Sequence, residues 1–261
     1  MTVLITGASA GIGRALVQRY LDRGAAVAGV ARRAGPLAEL EREAAGLPGT
    51  LRTYRADVAE PAPMATLFAR VERELGPVEL VIANAGVADD RRAPSLDPAR
   101  IGRVVTTNLL GVIHTLAPAI DAMRARGRGH LVAVSSLASI MALPRMSTYG
   151  ATKAALNHQL EGLHFELAPR GIAVTALQPG FVATDMLSTT GVPARWQMPV
   201  DRAVDIMVRA IDRRQRVCAF PRWQSWALRG LAVTPAWLKR PLFEHVFTRL
   251  FPTPAPVESC A

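Results

Sequence analysis

The sequence predicts a doubly wound α/β domain of about seven parallel strands over residues 1–221, followed by a basic helical extension over residues 222–261. Three observations predict it. Seven short apolar runs of strand length recur along the chain, helix-length stretches with 3.6-residue periodicity separate them, and the first run opens into a glycine-rich turn. Strands that alternate with helices build parallel sheets covered on both faces, and such sheets bind ligands at the carboxyl ends of their strands. A chain of 261 residues fits one such domain and can bury a sizeable core.

The first strand is Val3-Leu4-Ile5, followed by Thr6-Gly7-Ala8-Ser9-Ala10-Gly11-Ile12-Gly13 and a helical stretch over residues 14–21. Strand, glycine-rich turn and helix is the setting that suits a phosphate. Backbone without Cβ atoms can approach a pyrophosphate, and the helix N-terminus offers free N–H groups and the positive end of its dipole. The second strand, residues 26–30, ends in Ala31-Arg32-Arg33, and no acid follows before Glu39. An acidic residue there would hold the two ribose hydroxyls of NAD, whereas arginine accommodates the 2′-phosphate of NADP. NADP(H) is therefore expected over NAD(H), with Arg32 as the phosphate ligand, Arg33 beside it and Ser9 as a weaker donor from the turn.

The alternation continues with a helix over 36–45, a strand over 50–54, a helix over 64–75 and a strand over 80–83. Residues 99–123 read as one long helix, and the strand 130–134 runs into Ser135-Ser136. A helix over 149–167, a strand over 173–177, a helix over 202–213 and a last strand over 217–220 complete the domain.

Tyr149 and Lys153 are four residues apart, so a helix sets them one turn apart with Cβ atoms roughly 5–6 Å from each other. A free tyrosine, with a pKa near ~10, is a poor base at neutral pH. An ammonium about 4 Å away would favour the phenolate by about 4 kcal/mol at an effective dielectric near ~20, about three pKa units. That is the range in which general acid–base catalysis is efficient. Of 31 Lys+Arg only Lys153 and Lys239 are lysines, which makes this position a chosen one: arginine almost never deprotonates and prefers a planar fork of contacts.

Gly7-x-x-x-Gly11-x-Gly13, Asn84-Ala85-Gly86, Ser136, Tyr149, Lys153 and Pro179-Gly180 occur in that order. The set resembles the short-chain dehydrogenase/reductase family, in its single-domain branch with a Rossmann-like sheet, from Thr2 to about Pro221. The resemblance implies hydride transfer between a nicotinamide and a carbonyl carbon. In that reading Tyr149 exchanges the proton of the carbonyl or hydroxyl oxygen, Ser136 holds that oxygen, and Lys153 lowers the tyrosine pKa and bonds the nicotinamide ribose. Ser136 is preferred to Ser135 because its thirteen-residue offset from Tyr149 matches the family. Asn108 matches an asparagine that bends a helix and retains a water of the proton relay. Asp57-Val58 resembles the pair that holds the adenine, although Asp57 suits equally a helix N-cap ahead of Ala59-Glu60. Asn84 and Gly86 lie where the fourth strand meets the cofactor, and Asn84 suits equally a turn. Ile12 belongs to the glycine turn, and Pro179, Gly180 and Thr184 cover the nicotinamide.

In the family the segment 186–199 shapes the substrate pocket. Met186, Leu187, Val192, Trp196 and Met198, with Leu137, Leu143 and Met146 near the catalytic residues, make that pocket apolar. The expected substrate is a lipophilic ketone, aldehyde or secondary alcohol. Two competing readings are an NADP-binding adaptor without turnover and a nucleotide-sugar epimerase or dehydratase. The intact Ser/Tyr/Lys set opposes the first, and the roughly 40 residues after Pro221 leave too little for the substrate domain of the second.

The five histidines, at 114, 130, 158, 164 and 245, show no ligand spacing, so no metal is expected. The first strand follows Met1 almost at once, no window of about 18 uninterrupted apolar residues occurs, and Cys218 and Cys260 are too few for a disulfide framework. A cytoplasmic oligomer, dimer or tetramer, is the expectation, with no nucleic-acid partner. Between Arg213 and Leu250 eight basic residues accompany one acid, Glu244, which accounts for most of the net charge of +10. From Leu238 the apolar positions Leu242, Phe243, Val246, Phe247, Leu250 and Phe251 follow helical spacing. Such a segment can pack on its own domain or on a second subunit, lid the pocket, or lie on a membrane surface. The catalytic geometry is expected to form without it.

Overall fold

Val3 and Ile5 point to one side of the sheet and Leu4 to the other. Val3 and Ile5 pack with Leu16, Val17, Tyr20, Val204 and Met207, while Leu4 packs with Phe68, Val71, Val112 and Leu116. Burial on both faces explains why this strand reads as a continuous apolar run and not as an alternation. The computed structural model of the chain describes residues 1–88, 97–144, 146–188 and 192–242.

Seven parallel strands form one sheet: β1 (Thr2–Thr6), β2 (Ala26–Ala31), β3 (Thr50–Arg55), β4 (Val78–Ala83), β5 (Gly129–Val134), β6 (Ile172–Pro179) and β7 (Val217–Phe220). Their spatial order is β3-β2-β1-β4-β5-β6-β7, each pair parallel. The helices α1 (Gly11–Asp22), α2 (Ala34–Ala44) and α8 (Val200–Asp212) cover one face. The other carries α3 (Pro61–Leu75), α5 (Gly111–Arg126) and α6 (Ser147–Leu167). The chain winds outward from β1 in one direction and from β4 in the other, so the crevice between their carboxyl ends is the topological switch point.

The predicted helix 99–123 is divided. It comprises α4 (Pro98–Val105), a π-helical turn over Thr106–Leu110, and α5. Together they run from Pro98 to Arg126, long and apolar enough by length and composition to cross a membrane. Here they are a core element instead, with Val112, Leu116, Ala119 and Met123 buried against the sheet. Cys218 is only half-buried because β7 is an edge strand.

Beyond β6 lie α7 (Asp185–Ser188) and, after β7, α9 (Arg222–Ala232) and α10 (Ala236–Leu242). The proposed amphipathic positions Phe243, Val246, Phe247, Leu250 and Phe251, with Glu244, His245 and Cys260, lie outside the described residues.

Candidate active site

The glycine turn is shaped by what packs against it. Gly7 and Gly11 adopt left-handed backbone, with φ of +69° and +52°, where glycine alone is unstrained. A Cβ at Gly7 would come within 2.8 Å of Asn84 Nδ2, and one at Gly13 would overlap the Gly7 carbonyl oxygen. Asn84 Nδ2 donates to the Thr6 carbonyl at 3.0 Å, while Thr6 Oγ1 accepts from the N–H groups of Asn84 and Ala85 at 3.1 and 3.2 Å. Asn84 therefore staples β4 to the turn after β1 and Gly13 lets α1 close on it. Asn84 also lines the cavity at the switch point, whereas Gly13 does not.

The first turn of α1 has no acidic residue, and Ala10 at its N-cap supplies no side-chain hydrogen bond. Its free N–H groups and dipole are left to an anionic ligand. The Thr184 methyl lies 3.0 Å from where a Cβ on Gly11 would stand, so the segment after β6 folds down over the turn.

At the adenosine end, Arg33 Nη2 donates to Ser9 Oγ at 3.4 Å, and Arg32 Nη1 meets Asp57 Oδ2 at 3.5 Å. Arg55 Nε fastens the Arg32 carbonyl at 3.2 Å. Asp57 Oδ1 accepts the Ala59 N–H at 3.0 Å, a local turn that starts three residues ahead of the Glu60 N-cap of α3. The expected helix cap is thus displaced into the loop. Arg32, Arg33, Ser9 and Val58 line the cavity, whereas Asp57 does not.

At the other end, Ser136, Tyr149 and Lys153 face the same cavity. Ser136 Oγ accepts the Ala138 N–H at 3.1 Å, which leaves its own O–H to donate. Ser135 is buried, and its hydroxyl bonds the Lys153 carbonyl at 3.2 Å, fastening α6 to β5. Lys153 is 3% exposed. Its Nζ donates to the Val134 carbonyl at 2.8 Å and lies 5.7 Å from the centroid of the Tyr149 ring. Burial pushes its pKa down to about 8, so the ammonium still predominates at neutral pH.

Asn108 sits in the π-helical turn, fully buried. It does not line the cavity. Its Oδ1 accepts the Val87 N–H and its Nδ2 donates to the Val87 carbonyl.

These groups share one cavity of about 460 Å³ that runs from Arg32 and Arg33 past the glycine turn to Tyr149. Gly86, Pro179, Gly180 and Thr184 line it, as do Leu137, Leu143, Met146 and Met186. Trp196 does not. It packs with Phe181, Leu187 and Val192 in a small separate cluster and stacks edge-on against Trp223, so it supports the pocket from outside. Val192 and Met198 are likewise absent from the wall.

Sequence reasoning missed Gln224 and Leu228. Both belong to α9, inside the extension, and both line the cavity. A Cβ at Gly180 would overlap Gln224 Oε1 and come 3.1 Å from Pro221, while Gln224 Nε2 donates to the Trp196 carbonyl at 3.3 Å. The first helix of the extension is thus a wall of the site, joined to it across more than forty residues of chain. A signal existed only in the four-residue spacing of Gln224 and Leu228, which places them on one helix face. Among the described residues no group of His, Cys, Asp and Glu could hold a metal ion.

The family model described as short chain dehydrogenase matches residues 1–192. An uncharacterized oxidoreductase of Myxococcus xanthus is 34% identical over 95% of this chain and 97% of its own length. The solved structure of a short-chain dehydrogenase from Sphingobium yanoikuyae in complex with NADPH is similar at TM-score 0.77 and 31% identity, covering 90% of this chain and 96% of that one. A bulky-bulky ketone specific alcohol dehydrogenase from Comamonas testosteroni is similar at TM-score 0.75 and 25% identity, covering 100% of this chain and 96% of that one.

Proposed function

This chain belongs to the short-chain dehydrogenase/reductase family of oxidoreductases, and from that premise we propose that it is an NADP(H)-dependent enzyme acting on a lipophilic ketone, aldehyde or secondary alcohol. The observation that carries the reading is one cavity with Arg32 and Arg33 at one end and Ser136, Tyr149 and Lys153 at the other. The two guanidinium groups and Ser9 would take the 2′-phosphate, and the uncapped first turn of α1 would take the pyrophosphate. The NADPH complex of the Sphingobium yanoikuyae relative supports that choice of cofactor. When bound, the cofactor supplies a hydride to the carbonyl carbon or accepts it from the alcohol carbon.

The chain's own residues handle the proton. Ser136 donates a hydrogen bond to the substrate oxygen, because its Oγ already accepts from Ala138 and its O–H is left for the cavity. Tyr149 gives its hydroxyl proton to that oxygen on reduction and removes it on oxidation. The Lys153 ammonium stabilises the resulting phenolate by its charge, and Val134 fixes the ammonium in place. Asn108 acts one step back by holding the loop at Val87.

The apolar end, with Leu137, Leu143, Met146, Met186 and Leu228, suits a lipophilic substrate, as does the likeness to a bulky-bulky ketone specific enzyme. Leu110 and Ile113, at the start of α5, are exposed and offer a homo-oligomer an apolar contact.

The test is NADPH absorbance across a panel of bulky ketones and alcohols. Tyr149→Phe is expected to lower kcat by about a thousandfold while cofactor binding survives. Near-wild-type turnover by that variant would exclude the mechanism.

A further inference from the structure

The inner face of α9 lines the cavity through Gln224 and Leu228; on its outer side Trp223 touches the edge of Trp196 yet stays largely exposed among the described residues. Trp223 and Trp226 are 59% and 68% exposed, and Trp237 on α10 is 76% exposed. Val233 and Leu238 are exposed as well. Apolar surface of this extent marks an interaction site. Its charge is one-sided: residues 222–242, which span α9 and α10, contain Arg222, Arg229, Lys239 and Arg240 and no aspartate or glutamate.

Arg222, Ser225, Trp226 and Arg229, spaced for one side of a helix, meet Ala219 of β7 around a shallow pocket of about 300 Å³. Arg229 Nε bonds Ser225 Oγ at 3.4 Å. Neither Arg222 nor Arg229 is paired with a carboxylate among the described residues.

We infer that α9 and α10 dock this protein on an anionic lipid surface. The tryptophans enter the headgroup boundary, where an indole ring finds an apolar side and a wet edge. Arg222 and Arg229 take lipid phosphates in the shallow pocket, since a guanidinium fork matches a phosphate. A second copy of this face would set the same unopposed basic groups against these, whereas an anionic lipid interface complements them and takes up the tryptophans. Because α9 lines the catalytic cavity on its other side, a bound lipid surface lies one helix away from the site of a lipophilic substrate.

The full chain is sedimented with phosphatidylcholine vesicles and with vesicles of phosphatidylcholine mixed with phosphatidylglycerol. It is expected to sediment with the mixed vesicles at least about tenfold better, and added salt should weaken that binding. Trp226→Ser/Trp237→Ser should lose most of the binding, and so, independently, should Arg222→Gln/Arg229→Gln. Both double variants should keep the wild-type circular dichroism and unfolding temperature. Binding is read without turnover, so this result stands or falls apart from the proposed reaction. The inference is overturned if neither vesicle binds, if both bind equally, or if folded double variants bind like the wild type. It is also overturned if the tryptophan variants split a wild-type dimer, which makes the face a subunit contact, or if duplex DNA displaces the vesicles.

Discussion

Asn108 holds Val87 by both of its backbone groups, accepting the N–H through Oδ1 at 2.8 Å and donating to the carbonyl from Nδ2 at 2.9 Å. The clamp joins the π-helical turn between α4 and α5 to the loop leaving β4. Gly86 gives the clamp room, since a Cβ there would stand 3.3 Å from Asn108 Oδ1, while Lys153 Nζ at 3.8 Å would be in ordinary contact.

Asn108→Leu removes the partners of the part-buried N–H and carbonyl of Val87, and because cavity water can partly replace them each loss falls toward the lower end of about 1–3 kcal/mol. Urea unfolding should show a loss of about 2–4 kcal/mol, with kcat reduced more than KM because the loop beside Lys153 is released. Asn108→Asp keeps an acceptor for the Val87 N–H but opposes the Val87 carbonyl with a second oxygen, so it should not rescue. An Asn108→Asp protein as stable as wild type would show that the clamp contributes nothing.

Lys153 is a buried ammonium whose pKa is lowered from 10.5 to about 8 by burial. Between those values the unfolded chain binds more protons than the folded one, so stability rises with pH across that window. Below pH 8 the full penalty applies, on the order of 3 kcal/mol, partly offset by the bond to Val134. Lys153→Met should therefore be the more stable protein at pH 7 when no cofactor is present, and also inactive. The difference between the two unfolding free energies should narrow from pH 8 to about 9.5, short of tyrosine ionisation near ~10. A difference that stays constant with pH contradicts the assignment.

Arg32 and Arg33 should divide the 2′-phosphate between them. Alanine at either position is expected to lower kcat/KM for NADPH by about 10- to 100-fold, the range of a charge-assisted hydrogen bond, and to leave NADH nearly unaffected. Arg32→Asp adds repulsion and should invert the preference. If the wild type already uses NADH better, the phosphate site has been misassigned.

Gln224 makes the extension part of the site. Deleting residues 222–261 removes the wall beside Gly180, so kcat/KM should fall by at least about tenfold, or ~1.4 kcal/mol, with KM carrying the loss. Gln224→Ala, which retains α9, should have the same sign and a smaller size. Full activity in the truncated protein would return α9 to a purely associative role.

Much of this molecule is written locally. Seven apolar runs, six helical periodicities and a glycine turn name the fold because strands and helices answer to neighbours two to four residues away. Tyr149 and Lys153 are legible for the same reason: one turn of helix sets their separation whatever surrounds it. The left-handed backbone at Gly7 and Gly11 follows from residue type in the same local way.

What only the tertiary structure decided is which distant groups meet. It set Arg33 against Ser9, gave Asn108 the backbone of Val87, and moved Asp57 from a helix cap into a loop facing Arg32. It divided the long helix at 106–110, excluded Trp196 from the cavity and brought Gln224 under Gly180. Each of these is a contact across layers of the sheet or between loops at its carboxyl edge. Such contacts depend on strand order and on side-chain volume filling the space that remains, and neither quantity is carried by a residue's neighbours in sequence.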